Sequence, residues 1–408
     1  MRSGSGAGNF GFWILDFGLR VPRPPSPVPH SPFRLVAVGL IGWSLFSVDS
    51  SQPAWAADEV RAGVAKAEFA LPRWVPLAGY SRRHGKPSRG VHDPVGARAL
   101  VVTDADTAVA LVSCDLLIVD EHLFEAVRRR LLAQGLPQEL ILVLAATHTH
   151  SGPGAYGTKF LEKLSMGHFD PAVFDVLVRT IAQTIVRAYT QRQLVRIAYG
   201  IAPTRELVVN RVDPQGLVDH ELVVSAFYPL DDDRPLAVLV NFAAHPTTLG
   251  AWNRHVSADY PGVVMRALER RFPSATCLFF AGAVGDQGPV KSGDQFERAE
   301  RIGAALAQQV ATLIEQARPS SPSDVRARQE RLRLPPAVVR LGRLVLPRWM
   351  GRGLVDDDAT LSVITIGPSA FIGVPCDLAA SLGATLKQTA GAHGLSPMII
   401  GFASDYIG

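Results

Sequence analysis

The chain has 408 residues, 47% hydrophobic and 19% charged, with a formal net charge of +4. That is enough apolar material for one large domain or two ordinary ones, and it excludes a disordered chain. Its basic residues are scattered among acids with no long basic block beside aromatics, which argues against a nucleic-acid surface but leaves room for a mild attraction to anionic membranes.

Residues 1–32 are rich in Gly, Pro and Ser and read as unstructured. Arg34, the apolar run 35–48 and Ala54-Trp55-Ala56 before Ala57-Asp58 have the layout of a secretory signal, and the run is short for a membrane span. Residues 1–57 are therefore expected to be a leader, cleaved so that the protein is secreted or periplasmic; an uncleaved N-terminal anchor is the alternative. The length of this leader points to a later start codon. Residues 58–408 are expected to form one large domain.

From Val60 onward, short apolar runs alternate with longer amphipathic ones. Strands are predicted at 99–102, 108–114, 140–145, 195–199, 222–227, 236–242, 276–281, 361–366, 370–374 and 398–402. Several are continuous rather than alternating, as expected of strands covered on both faces. Helices are predicted over 121–134, 171–189, 261–271, 296–317 and 378–389. Two of them begin with Pro at the first helical position, after Asp170 and Tyr260. The interleaving predicts an α/β fold, a layered mixed sheet with flanking helices. Residues 318–358, Pro-rich at both ends and Arg-rich, read as a long irregular excursion. Of the three cysteines, Cys114 and Cys277 lie in apolar runs and read as buried; an odd count without a CxxC pair argues against a disulfide framework or a cysteine zinc site.

Five segments could carry chemistry. The apolar strand at 140–145 runs into Thr147-His148-Thr149-His150-Ser151-Gly152-Pro153-Gly154. Two His at i and i+2 on an extended chain project to one side and could approach one ion or substrate, though a surface pair at a turn would read the same. His245-Pro246 follows a second apolar strand, and both His148 and His245 thus stand at strand ends, where ligands collect in α/β sheets. Imidazole and carboxylate suit zinc with one position left open. Val374-Pro375-Cys376-Asp377 follows a third strand: Asp377 could complete a His-His-carboxylate set or cap the next helix, and the thiol of Cys376 is a further candidate. Arg211, after Asn210, could steady a developing oxyanion or sit on the surface. The Gly-rich turn 281–289 is neither a phosphate loop nor a nucleophile elbow; Asp286 in it could orient a His or simply turn the chain.

Together these segments resemble the neutral/alkaline non-lysosomal ceramidase family, in the family's order, from about Glu68 to the end. Thr147–Gly154 is similar to its "THTHSGPG" signature, the most specific piece. Ala78-Gly79-Tyr80, Gly90-Val91-His92 with Ala97-Arg98-Ala99, Asn210-Arg211, Ala244-His245-Pro246-Thr247, Ser257-Ala258-Asp259 and Gly285-Asp286 resemble its other segments.

The resemblance implies one zinc ion, with His148 and His245 as ligands and Asp377 in the place of a family Glu. It implies that His150 and Arg211 contact the substrate carbonyl or the attacking water. The implied reaction is hydrolysis of the amide of N-acylsphingosine (ceramide) or a related lipid amide, with contact to a membrane surface conceivable and no nucleic acid. Three departures stand out: Asp377 is one methylene shorter than Glu, Gly288 stands where the family carries a Ser, and the chain stops at Gly408, one residue before the expected Tyr ligand. Tyr406 is a poorly placed substitute, and the domain is expected to be truncated. The alternatives are a zinc hydrolase of another amide or ester, and a non-catalytic binding protein.

Overall fold

The computed structural model describes residues 59–204, 206–335, 340–341, 344–345 and 358–408. The leader and its apolar run lie outside the described residues. In chain order the elements are β1 (Arg61–Glu68), β2 (Gly90–Val91), β3 (Gly96–Thr103), β4 (Ala108–Cys114), α1 (Glu121–Ala133), β5 (Ile141–Ala146), α2 (Phe160–Met166), α3 (Pro171–Thr190), β6 (Gln193–Pro203), β7 (Val208–Asn210), β8 (Glu221–Pro229) and β9 (Ala237–Phe242). They continue with β10 (His255–Val256), α4 (Asp259–Arg271), β11 (Thr276–Ala281), β12 (Gln287–Pro289), α5 (Gln295–Gln316), β13 (Val325–Arg333), β14 (Arg340–Leu341), β15 (Leu344–Val345), β16 (Asp358–Ile366), β17 (Ser369–Gly373), α6 (Ala380–Ala392) and β18 (Ser396–Ile400).

An eight-stranded mixed sheet in the order β11-β9-β8-β6-β1-β3-β4-β5 forms the centre. Its continuous apolar strands β9 and β11 are buried along their whole length, as the run of Val, Leu and Phe requires. On one face β3, β4 and β5 pack against α1 and α3 through Ala99, Val112, Leu123 and Ile181, while β8, β9 and β11 pack against α4 and α5 through Val224, Phe279, Val264 and Leu306. On the other face lies a four-stranded sheet, β13-β16-β17-β18, whose Ile364, Phe371 and Met398 meet Leu111, Val143 and Phe280. Helix α6 covers the far side of that second sheet. The layered α/β expectation is thus met, with two stacked sheets between helices.

The helix starts follow the local chemistry. Asp120 and Asp170 accept the backbone N–H groups of Leu123 and Ala172, both at 2.8 Å, at the heads of α1 and α3. Two of the longer strands depart from expectation. β1 was not predicted, because Gly63 and its charged residues break the apolar pattern, yet it lies mid-sheet. Gly63 is required there: a Cβ would stand 2.2 Å from the carbonyl oxygen of Ala188, so α3 can lie this close only over a glycine. Within 318–358, β13 is regular and pairs with β16 from Val325↔Ile366 to Arg333↔Asp358, so that part is no irregular excursion. Its Arg-rich sequence is that of a protected edge strand, which apolar periodicity does not detect.

The long sheet curls until its ends meet. Ser113 on β4 donates to the carbonyl of Phe279 on β11 at 2.6 Å, although five strands separate them in sheet order. The segment after β18 fills the gap: Gly401 N–H bonds to Ala281, and Ala146 N–H to Phe402. The parallel pairs β4–β5 and β9–β11 therefore deliver their carboxyl ends to one place.

Candidate metal centre

His148 follows β5 by two residues and is 3% exposed, with its backbone in the left-handed region at φ 63°. Its ring stacks on Phe402, centroids 3.7 Å apart. Its Nδ1 lies 2.6 Å from the carbonyl oxygen of Leu117. A carbonyl accepts only, so Nδ1 carries the proton and Nε2 keeps its lone pair. His150 is fixed likewise, with Nδ1 3.1 Å from the carbonyl of Gly79. His245 follows β9, and its Nε2 lies 2.9 Å from that of His148 and 3.0 Å from that of His150; the last pair is 3.2 Å apart.

Three imidazole Nε2 atoms thus converge. Two cannot donate to their neighbours, because their protons are committed to carbonyls. Burial holds His148 down to about 3, and burial together with the neighbouring imidazoles and Arg211 holds His150 and His245 well below the ordinary value. Neutral rings with lone pairs turned on one point fit a cation, and the donor type suits zinc. Nitrogens around a tetrahedral zinc at about 2.0–2.1 Å stand about 3.3–3.4 Å apart, so the triangle needs to open only slightly. Among the described residues, these are the ligand-type groups that gather in this way.

Asp377 is placed beside this triangle rather than in it. Its Oδ1 lies 3.8 Å from Nδ1 of His245, the ring nitrogen turned away from the cluster, and its Oδ2 lies 3.9 Å from Nη2 of Arg211. The Oδ1 of Asp377 is buried without a hydrogen-bond partner. Burial pushes the Asp377 carboxyl up to about 6 despite Arg211. Nor does Asp377 cap the following helix: Asp286 does, its Oδ1 accepting from the N–H of Ala380 at 2.8 Å. Asp286 also holds Asn210 through Oδ2 at 3.1 Å and bonds no histidine, which answers the question its sequence left open. The half-buried thiol of Cys376 is pushed up to about 12, chiefly by burial and next by Asp377. Gly288 backs the stem of Arg211, whose Nη2 donates to the carbonyl of Gly285 at 2.8 Å. Tyr406 lies against Phe402, ring centroids 6.1 Å apart, with its hydroxyl pKa raised by burial and by Asp377.

Sequence reasoning missed three contributors. Tyr80 tilts its ring against His150 at 4.9 Å and donates its hydroxyl to Leu249. Arg83, 4% exposed, donates to the carbonyls of His150 at 2.6 Å, Ala78 at 2.8 Å, and Gly250 and Ala251, each at 3.3 Å. Phe402 supplies the face on which His148 lies. Arg83 sits next to Arg82 in a basic run and looks like a surface residue; no sequence signal marks it.

The model of the family described as neutral/alkaline non-lysosomal ceramidase, N-terminal, matches residues 62–278, which contain all three histidines. The neutral ceramidase of Pseudomonas aeruginosa is 31% identical over 234 residues, 52% of this chain, and that of Mycobacterium tuberculosis 26% identical over 221 residues, 50% of this chain. Each alignment spans 34% of the relative's own length. The crystal structure of the Pseudomonas aeruginosa neutral ceramidase shares the fold, with a TM-score of 0.76 at 20% identity over 86% of this chain and 68% of that one. With more than half of its length matched, the match including the histidine segment that forms the centre, the chain belongs to the neutral/alkaline non-lysosomal ceramidase family.

Proposed function

We propose that this chain hydrolyses the amide bond of N-acylsphingosine or a closely related lipid amide, with a zinc ion held by the Nε2 atoms of His148, His150 and His245. The observation that carries this reading is the convergence of three lone pairs whose opposite ring nitrogens are, for two of them, committed to carbonyls. When bound, the ion would supply Lewis acidity to a carbonyl oxygen and to water. His150 then serves as a third imidazole rather than as the acid/base that its sequence suggests. The guanidinium of Arg211 is anchored on Gly285 through Nε and Nη2, which leaves Nη1 to meet the oxyanion as the carbonyl carbon becomes tetrahedral. Asp377, whose Oδ1 faces Nδ1 of His245 and whose Oδ2 faces Nη2 of Arg211, positions those two groups, and the proton of the attacking water passes to the leaving nitrogen. The C–N bond breaks to give a fatty acid and an amino alcohol. Gly288 offers no hydroxyl, so this scheme has no acyl-enzyme from that position. The continuous cores support reading residues 58–408 as one catalytic unit, and the leader supports export.

The test is metal content and turnover of a long-chain N-acylsphingosine by the full chain. His148→Ala is expected to lose zinc and at least about a hundredfold in kcat; a variant retaining both would sink the proposal. Arg211→Met is expected to keep zinc and lose about 10²–10³-fold in kcat. The shorter Asp377 and Gly288 favour a second reading, a hydrolase of other amides or esters. Equal turnover of short-chain amides or esters would select it, and bound zinc with no turnover would select a binding protein.

A further inference from the structure

One face beside the metal centre combines protruding tryptophans with an excess of cations. Trp252 is 88% exposed and Trp74 63%, and Val91 is also open to solvent. They stand on three neighbouring segments, Trp74 and Trp252 at turns and Val91 on β2. Ser88 N–H bonds to Val75, and Pro76 bridges to Pro87. Arg89 N–H bonds to Arg254, and β2 runs parallel to β10 with Val91 opposite Val256. Helix α2 adjoins the same face, since Gly79 N–H bonds to Ser165, and it exposes Phe160 and Leu164 one turn apart, flanking Lys163.

Charge on these segments has one sign. Residues 69–92 and 247–258 contain Arg73, Arg82, Arg83, Lys86, Arg89 and Arg254 and no Asp or Glu. Arg73, Lys86 and Arg89 are exposed. The acids that follow, Asp93 and Asp259, are buried and turned inward: Asp93 bonds Arg266 and Ala258 N–H, and Asp259 bonds Thr248 and Leu249 N–H. The face is coupled to the centre by Arg83, which holds the Gly250–Ala251 turn before Trp252 and the carbonyl of His150 with one guanidinium.

We propose that this face docks the protein on an anionic lipid surface, with Trp252 and Trp74 entering the headgroup region and Arg73, Lys86 and Arg89 meeting lipid phosphates. Exposed tryptophans are costly in water and favourable at a bilayer interface, whereas a protein partner would require carboxylates of its own to match the cations. Among the described residues no helix is long and apolar enough to cross a membrane. The proposal rests on the lipid-amide reading only for the reason a bilayer is sought.

The test is co-sedimentation of the full chain with vesicles of phosphatidylcholine, alone or with phosphatidylserine, at low and high salt. Binding is expected only with phosphatidylserine and to fall steeply with salt. W74A/W252A and K86E/R89E are each expected to weaken it by about tenfold or more while turnover of a water-soluble short-chain amide stays unchanged. Equal binding to neutral vesicles, unchanged binding by both variants, or binding to an oligonucleotide but not to vesicles would overturn the proposal. Vesicle binding without turnover of any amide would leave docking standing and sink the lipid-amide reading; turnover without vesicle binding would do the reverse.

Discussion

Arg83 is a buried cation with no carboxylate in an ion pair among the described residues, and its donors go to four backbone carbonyls instead. Such a group keeps its place only because those oxygens would otherwise be unsatisfied. Replacing it with Met is expected to cost about 2–4 kcal/mol in urea denaturation and to weaken zinc affinity about tenfold, because His150 loses the clamp on its own carbonyl. Arg83→Lys should recover part of the affinity; wild-type affinity in Arg83→Met would show that His150 is positioned without it. Gly285 makes a similar point through sterics. A Cβ there would stand 2.4 Å from the carbonyl oxygen of Asp377. Gly285→Ala is therefore expected to displace the Arg211–Asp377 pair and cut kcat by at least about tenfold with KM little changed, since the loss falls on groups that act in the transition state. The Thr147–Pro153 run announced itself in the sequence, but the convergence of the His150 ring with those of His148 and His245 did not. The deciding feature is the left-handed backbone at His148, φ 63°, which no pattern of residue types reveals.

At the scale of elements, what could be read from sequence follows apolar continuity. β4 and β11 were legible to the residue because their runs are almost wholly apolar, and α3 because Asp170-Pro171 starts it. β1 and β13 were not, the first because glycine and charge interrupt it, the second because an edge strand wears charge. The head of α6 illustrates a different limit. Asp377 stands in the chain where a cap is expected, yet the capping oxygen belongs to Asp286, about ninety residues earlier. Asp286→Ala is expected to release both Ala380 N–H and Asn210 and to cost about 1–2 kcal/mol, checked by thermal denaturation. An unchanged Tm would mean that α6 starts without this bond.

Across the whole molecule, the centre exists because the long sheet curls. β5 and β11 are at opposite edges of its order, yet Gly401–Ser404 joins them, with Ser404 N–H bonded to Leu144 and Gly401 N–H to Ala281. Sequence could place each histidine at a strand end; it could not place the strand ends together. The basic face was invisible for the same reason, since its cations come from segments some 160 residues apart and look scattered along the chain. The central claim is that three imidazoles, His150 among them, hold one zinc ion. It is tested most directly by zinc titration of the metal-free protein and of H148A, H150A and H245A against a competing chelator. The account predicts one zinc per chain and an affinity at least about a hundredfold weaker in each variant; an H150A protein that binds zinc as tightly as wild type would contradict it.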